Sequence, residues 1–595
     1  MKEIILFLIP LFLLFSCIDR QTFKEEKLSQ EIRESFKKTL PVLKEPNLYE
    51  IIGRKPSTKE LELGRFLFND TILSRNNDVS CATCHLSNHG FADGNSINIG
   101  TLGVGGPNGD TVGKGFGEGV LSLDRTLGQD GFGFHGRNFM FRNSLSTVNV
   151  VYRVNNSTDV GLFHDGRFGK IHFQVLLPIH TPEEMCGKNP ISLNDNKENI
   201  FASGGPLFDT PVKINHSNSN DDYTGADTGF FNAQKEAISG IPFYRKNGAR
   251  SIPNRNECLA ITIAKLRKVP YYKKTFKEVY GESGVTDLNL AKALSAFVLT
   301  HVSNRTPYDQ FMKGENSLDR DQLLGLVIFM SEQGKKIKVG DKEVVGAGCI
   351  NCHDTATFGG NGFSSLGVKS DVRSPLSQKS QSTSLDSGFF SRPRVQRGLV
   401  PECHVEGISV LETSNYAPDI GRANGSFKSD DCFKFRIPPL RNIIETYPYY
   451  HHGTERALGT TEGDLKKRSL AALKNVIEYH LRGPVNPSLY NRRNVHKPFF
   501  DEYLQKDMLI PYYAQNFVDY KLQNPSNSHF PLKLSTMEID YLLKFIAFGL
   551  WDKKSTSVGL LGNDLSHPEK VPSGFSPSVS RDEGLQTELP PSFQK

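Results

Sequence analysis

Apolar residues recur every three to four positions in several stretches of the chain, and that period marks an amphipathic helix. It is plain over 258–281, 288–303, 318–333, 464–481 and 535–549, and in the run ELELGRFLF that follows Ser57. Two stretches open on Ser-x-x-Glu, Ser57 to Glu60 and Ser535 to Glu538. This is the capping box, in which hydroxyl and carboxylate satisfy first-turn amides reciprocally. Residues 22–44 read as a polar helix leading into the body. No convincing alternation of apolar and polar positions marks a strand. Three stretches lack any period: 98–140, crowded with glycine, and 187–257 and 360–430, rich in Ser, Asn, Gly and Asp. They read as irregular insertions. Residues 552–595 are Ser/Pro-rich and read as a disordered tail. One pattern occurs in each half: a helix, then Cys-x-x-Cys-His, then a Gly-rich stretch. The expected fold is mainly α, built of two related modules.

At 595 residues the chain exceeds one ordinary core, so two or more domains are expected. A content of 37% hydrophobic and 23% charged residues fits a globular protein. The net charge of +6 is mild for this length and no basic stripe interleaves with aromatics, so no nucleic-acid partner is expected. Lys2 leads into an apolar run from Ile4 to Phe15, which has the length of a signal-peptide core and falls short of a membrane span. Leu14-Phe15-Ser16-Cys17 has the form of a lipobox, which would make Cys17 a lipidated N-terminus and the protein an exported, membrane-anchored lipoprotein. Export places the thiols where they are oxidised or ligated. Of 9 cysteines, Cys17 goes to lipid and the two motifs take four. Cys186, Cys258, Cys403 and Cys432 remain. The favoured pairing is Cys186–Cys258 with Cys403–Cys432, each stapling one irregular segment.

The two motifs, SCATCH with Cys81, Cys84 and His85, and GCINCH with Cys349, Cys352 and His353, carry the chemistry. Two thiols one helical turn apart can reach the two vinyl groups of a porphyrin as thioethers, and the adjacent His then lies under the iron. Zinc accepts Cys and His, and a lone Cys-x-x-Cys can be a redox dithiol. The same trailing His in both copies favours covalent haem c, twice.

Around the motifs stand LGRFLFNDTILSRNNDVSCATCH (63–85), FRNSLSTVN (141–149), LFHDGRFGKIHFQVLLPIHTPEEM (162–185), TPYDQFMKGE (306–315) and FRIPPLRNIIETYPYYHHG (435–453). Together, and in this order, they resemble the bacterial di-haem cytochrome c peroxidase/MauG family over most of 55–550. The resemblance implies two cytochrome c-like helical domains with one covalent haem each, interrupted by long irregular insertions. Between the signal peptide (1–17) and helical lead-in (18–54) on one side and the tail (552–595) on the other, it implies a peroxidatic haem domain (55–300) and an electron-transfer haem domain (301–551).

The same resemblance implies roles for individual residues. His85 would carry the peroxide-reacting haem, with Gln174, Pro178 and Glu184 in its distal pocket and Glu184 as the acid–base group. His135, on the Gly-rich loop, would be a displaceable sixth ligand, with His89 a weaker candidate. His353 would carry the electron-transfer haem, with His480, next to Tyr479, where the family has Met or Tyr. A His/His haem has a lower potential than His/Met. His164 stands where the family has a Trp between the haems; the one Trp of this chain is Trp551. Asn143, Thr446 and Pro448 would hold a calcium ion through oxygens. The implied activity is reduction of hydrogen peroxide with electrons from a small cytochrome c or cupredoxin, in a protein that is often a homodimer in this family. A MauG-like oxidase of a protein or organic substrate, and a non-catalytic electron-transfer lipoprotein, are the alternatives.

Overall fold

The computed structural model describes residues 25–36, 39, 42–74, 77, 79–94, 142–154, 161–166, 171–180, 184–185, 255–364, 366, 421–422, 426, 431, 434–451, 453, 455, 465–482 and 532–575. Cys17, His135, Cys186, Cys403, Cys432 and nearly all of the three insertions lie outside them. Among the described residues the chain is mostly helical, with one short hairpin and one antiparallel pair of two-residue strands, Phe363–Ser364 with Phe435–Arg436. No described helix is long and apolar enough to cross a membrane.

Two apolar clusters organise the fold. The first is centred on the helices Thr58–Asn69, Arg255–Lys268, Pro270–Tyr280 and Asp287–Val298, with Leu63, Leu67, Phe68 and Phe297 buried within it. The second is centred on Arg320–Met330, Leu465–Arg482 and Thr536–Lys544, with Phe329, Phe358 and Phe545 inside. The predicted stretch 258–281 is two helices. Val269 precedes Pro270 and is held extended at φ −80°, ψ 115°, which ends the first helix.

The same device closes both clusters. Gly64 lies against the Ala293 carbonyl and the Phe297 side chain, and an added Cβ would sit 2.4 Å from that oxygen. In the second cluster a Cβ on Gly325 would sit 2.1 Å from the Tyr541 carbonyl and 2.7 Å from Phe545 Cβ. Each glycine lets a core helix touch its partner's backbone one helix before the Cys-x-x-Cys-His motif.

Three expectations need correction. A hairpin, Lys336–Val339 with Lys342–Val345, stands before the second motif where no strand was expected. Its tight turn is Gly340-Asp341, with Gly340 at φ +60°, and only Val339 and Val344 of the ribbon are buried, so the alternation is too short to register. The Ser57 capping box forms by half: Ser57 accepts the Glu60 amide, but the Glu60 carboxylate is taken by Arg54 and by the Tyr280 hydroxyl at 2.6 Å. The Ser535–Glu538 box forms completely.

The third correction concerns the tail. Residues 552–575 are an ordered strap that crosses back to the first cluster. Leu560 N donates to Thr300 O at 2.9 Å, Leu565 is buried in the first core, and the Ser573 hydroxyl donates to Asp70 at 2.6 Å. Serine-rich composition read as disorder because it lacks apolar area. Here the serines instead satisfy a buried carboxylate, and a few apolar anchors suffice. Residues 576–595 lie outside the described ones. At the other end, the helix over 25–36 packs on the second cluster: Ile32 is buried there, and Arg33 lies over the Phe311 ring at 4.7 Å. Residues 25–36 and 552–575 thus each brace the half remote from them in sequence.

Candidate cofactor sites

One helical turn, Cys81–Cys84, presents both cysteines of the first motif, its start held by Ser80 N donating to Thr83 Oγ1 at 2.9 Å. His85 Nδ1–H donates to the Phe91 carbonyl at 3.0 Å. At the second motif His353 Nδ1–H donates to the Phe358 carbonyl at 2.8 Å. In both, fixing Nδ1 as donor leaves the Nε2 lone pair for a metal. Phe91 at φ +57° and Phe358 at φ +56° are both left-handed, a conformation a bulky residue rarely adopts. The strain at both positions aims a carbonyl at the histidine.

The surroundings repeat as well. Phe68 lies 6.4 Å from the His85 ring and 5.4 Å from Phe297, and Phe329 lies 6.4 Å from His353 and 5.7 Å from Phe545. Burial lowers the pKa of His85, and burial followed by the charge of His480 lowers His353 to about 4, so both imidazoles are neutral. None of the four motif cysteines is disulfide-bonded. Burial pushes the Cys81 and Cys349 thiols up to about 12. A redox dithiol or zinc thiolate needs the opposite shift, whereas a thiol destined for a thioether does not. Cys258 is disulfide-bonded to a cysteine outside the described residues.

The remaining predicted residues separate into distinct groups. Glu184 bears electrostatically on Cys81, so the fold brings this carboxylate to the first motif. Gln174 and Pro178 lie half-buried on the short helices Ile171–Gln174 and Leu177–His180, and no described contact joins them to His85. His89 is buried in the loop that follows His85, its ring against Gly94.

A cavity of about 590 Å³ opens on the second motif, with His353, Cys349, Cys352 and His480 on its walls. His480 Nδ1–H donates to Val476 O at 2.7 Å, leaving Nε2 for a ligand role. The neighbouring Tyr479 is committed elsewhere, its hydroxyl donating to Leu366 O at 2.8 Å. His164 reaches the same cavity at the seam between the clusters. Its Nε2–H donates to Asn143 O at 2.9 Å, and its own carbonyl accepts from Arg436 N at 2.8 Å. Asn143, Thr446 and Pro448 also line this cavity; Asn143 Nδ2 donates to Pro448 O at 2.5 Å while its buried Oδ1 has no partner.

The amino-acid pattern gave no notice of several site residues. Ser144 Oγ lies 3.3 Å from His85 Nδ1. His301 stacks on Phe91 at 3.9 Å and shares a 2.7 Å hydrogen bond with Thr147 Oγ1. Arg441 forms a buried 2.6 Å ion pair with Asp309. Aligning the two halves on their motifs exposes one signal, a Phe six residues after His85 and five after His353.

A sequence model described as di-haem cytochrome c peroxidase matches residues 58–203 and 232–317. Over those residues the chain is similar to the di-haem cytochrome c peroxidase family. The cytochrome c551 peroxidase of Nitrosomonas europaea is 21% identical over 393 residues, 66% of this chain and 68% of its own. The cytochrome c peroxidase Ccp of Escherichia coli is 27% identical over 192 residues, 32% of this chain and 30% of its own. Among solved structures, a MauG-like protein associated with microbial copper homeostasis superposes with a TM-score of 0.46 at 17% identity, covering 90% of this chain and 98% of its own. The family members named peroxidases are oxidoreductases.

Proposed function

We propose that the protein is an exported di-haem c-type peroxidase that reduces hydrogen peroxide to water. In this reading one haem is held by Cys81, Cys84 and His85 in the half spanning 55–300, and another by Cys349, Cys352 and His353 in the half spanning 301–551. The residues fit that group on three counts: each histidine has Nδ1 engaged and Nε2 available, the Cys81 and Cys349 thiols are held protonated by burial, and the second motif faces a cavity. When bound, the haems supply the redox chemistry of the O–O bond. The chain's own part is to hold the axial imidazoles neutral and in register and to manage protons.

The observation that carries the reading is an asymmetry. Among the described residues an imidazole stands near both motifs, His301 bearing on His85 and His480 sharing the cavity with His353, but a carboxylate, Glu184, bears on Cys81 of the first motif while no described carboxylate lines the cavity at the second. His480 would be the further ligand that suits the second haem to electron transfer, and Glu184 would take a proton from one peroxide oxygen and return it to the other. Gln174 would orient the peroxide and Pro178 would shape the pocket; His135 would close the first iron at rest. His164, at the seam, would stand on the path between the haems. Asn143 Oδ1 with the Thr446 and Pro448 carbonyls offers oxygens of the kind calcium takes, and the partnerless Oδ1 agrees with that use. Electrons would come from a small cytochrome c or cupredoxin, with the protein lipid-anchored through Cys17 and dimeric.

The test is Glu184→Gln in the haem-loaded protein, with haem content measured alongside peroxide consumption by a reduced donor. Turnover should fall by about 10²–10⁴-fold with both haems retained. Turnover unchanged at full haem content would leave a di-haem electron carrier in place of the peroxidase.

A further inference from the structure

Two arginines at the seam, Arg153 half-buried and Arg436 buried, carry charge that no described acidic residue offsets. Arg153, on the Val151–Val154 helix of the first half, donates from Nη1 to Gly360 O at 3.2 Å and from Nε to Gly161 O at 3.4 Å, while its Nη2 is buried with no partner. Arg436, on the Phe435–Arg436 strand of the second half, is only 9% exposed, and its Nε is likewise buried with no partner. Arg436 lines the cavity that holds Cys349, Cys352 and His353. Both arginines converge on the segment that follows that motif. Gly360 is packed so closely that an added Cβ would lie 2.5 Å from the Cys352 carbonyl and 2.8 Å from Ile437, the residue next to Arg436.

Burial and then the charge of Arg436 push Arg153 down to about 8, and burial pushes Arg436 down to about 10. A guanidinium keeps its proton in proteins, so these shifts express uncompensated positive charge in a dry place. Buried charges are otherwise paired, and partnerless buried N–H groups are rare. Two guanidiniums with open donors, Arg436 on the cavity wall and Arg153 bonded to Gly360 beside it, are the complement of a carboxylate bound by paired N–H···O contacts.

We propose that Arg153 and Arg436 form a clamp, shared by the two halves, for a propionate carboxylate of the haem attached at Cys349 and Cys352. The inference rests on the haem reading above. Haem c carries its thioethers on one side of the porphyrin and its two propionates on another, so a group tethered at Cys349 and Cys352 brings its only carboxylates to other walls of the same cavity. The clamp makes the seat of the second haem depend on a residue of the first half. It also sets positive charge beside that haem, which favours the ferrous state.

The test uses the haem-loaded full chain. Haem content is measured, and each haem is titrated electrochemically in wild type, Arg436→Gln, Arg153→Gln and Arg436→Lys. Loss of either guanidinium should lower the midpoint potential of the His353 haem by roughly tenfold in its ferric/ferrous ratio, about 59 mV for one electron. The His85 haem should move much less. Arg436→Lys keeps the charge but not the fork, and should recover most of the shift, which a merely structural role would not produce. Full haem content with both potentials unmoved overturns the clamp alone. Wild-type potentials that track inorganic phosphate at constant ionic strength also overturn it, in favour of a free-anion site. Absence of haem at Cys349–Cys352 overturns the haem reading itself.

Discussion

Replacing Gly325 with alanine probes the contact on which the second site is built. The added Cβ would lie 2.1 Å from the Tyr541 carbonyl oxygen and 2.7 Å from both the Tyr541 carbonyl carbon and Phe545 Cβ. Ordinary contact begins at 3.4 Å, so the shortfall at the oxygen is about 1.3 Å. The obstacle is backbone on the facing helix, which no rotamer change relieves, so the helices Arg320–Met330 and Thr536–Lys544 must separate. Overpacking of this kind costs about 3 kcal/mol at the upper end of its usual range, and the better helix propensity of alanine returns about 1 kcal/mol. The net loss is about 2 kcal/mol, or a fall in Tm of about 4–8 °C for a cluster of this size. Separation also draws Phe545 from Phe329 and Phe358, the rings that flank His353. The absorption band of the second haem should therefore shift along with the stability. Thermal unfolding followed by circular dichroism and by the Soret band measures both. Gly362→Ala, where nothing lies within 4 Å of the new Cβ, is the control. An unchanged or raised Tm in Gly325→Ala would refute the close-approach reasoning.

Other outcomes follow from the same contacts. His480→Ala should convert the His353 haem from low-spin to high-spin, seen by EPR, with imidazole restoring the original signal; a spectrum unchanged by the substitution would remove His480 from the iron. Ser573→Ala should cost about 1 kcal/mol by denaturant titration, because Asp70 loses a buried donor; a variant as stable as wild type would mean that the strap does not hold the first cluster. Burial raises the Asp70 pKa in the fold, with Ser573 and Tyr272 opposing it. A raised folded value means that this group adds stability below its unfolded pKa and loses that contribution as pH rises through the folded one. Asp70→Asn should therefore flatten the fall in stability with pH above the ordinary carboxylate range, and an unaltered profile would contradict it. Arg441→Gln should destabilise the second cluster by about 3–5 kcal/mol, since it leaves Asp309 buried without its cation; a loss below 1 kcal/mol by chemical denaturation would refute that ion pair's role.

The chemistry of the sites was local enough to be read along the chain. Cys81, Cys84 and His85, like Cys349, Cys352 and His353, act as a unit because they are adjacent, and the helical period marked all five stretches as helical, one of them being two helices broken at Val269-Pro270. The aspects that were missed depend on partners remote in sequence. A Ser/Pro-rich tail reads as disordered until Asp70 is known to be buried beside Ser573, some five hundred residues away. Glu60 completes a capping box until Arg54 and Tyr280 compete for it. Nothing about Phe91 or Phe358 announces a left-handed backbone, since that strain exists only where a carbonyl must meet His85 or His353.

The sequence by itself determined the covalent logic of this protein: two attachment motifs, each after a helix, in a mainly helical chain. Adjacency and 3.6-residue periodicity are properties of the chain alone, so they survive without a fold. Tertiary structure decided which histidines share a cavity, that Glu184 bears on one motif and His480 on the other, that Gly64 and Gly325 are close contacts between helices, and that the charge of Arg436 bears on Arg153 across the seam. Those are facts about burial and distance between segments hundreds of residues apart, and burial is what converts an ordinary arginine, carboxyl or imidazole into one with unsatisfied bonding and a displaced pKa.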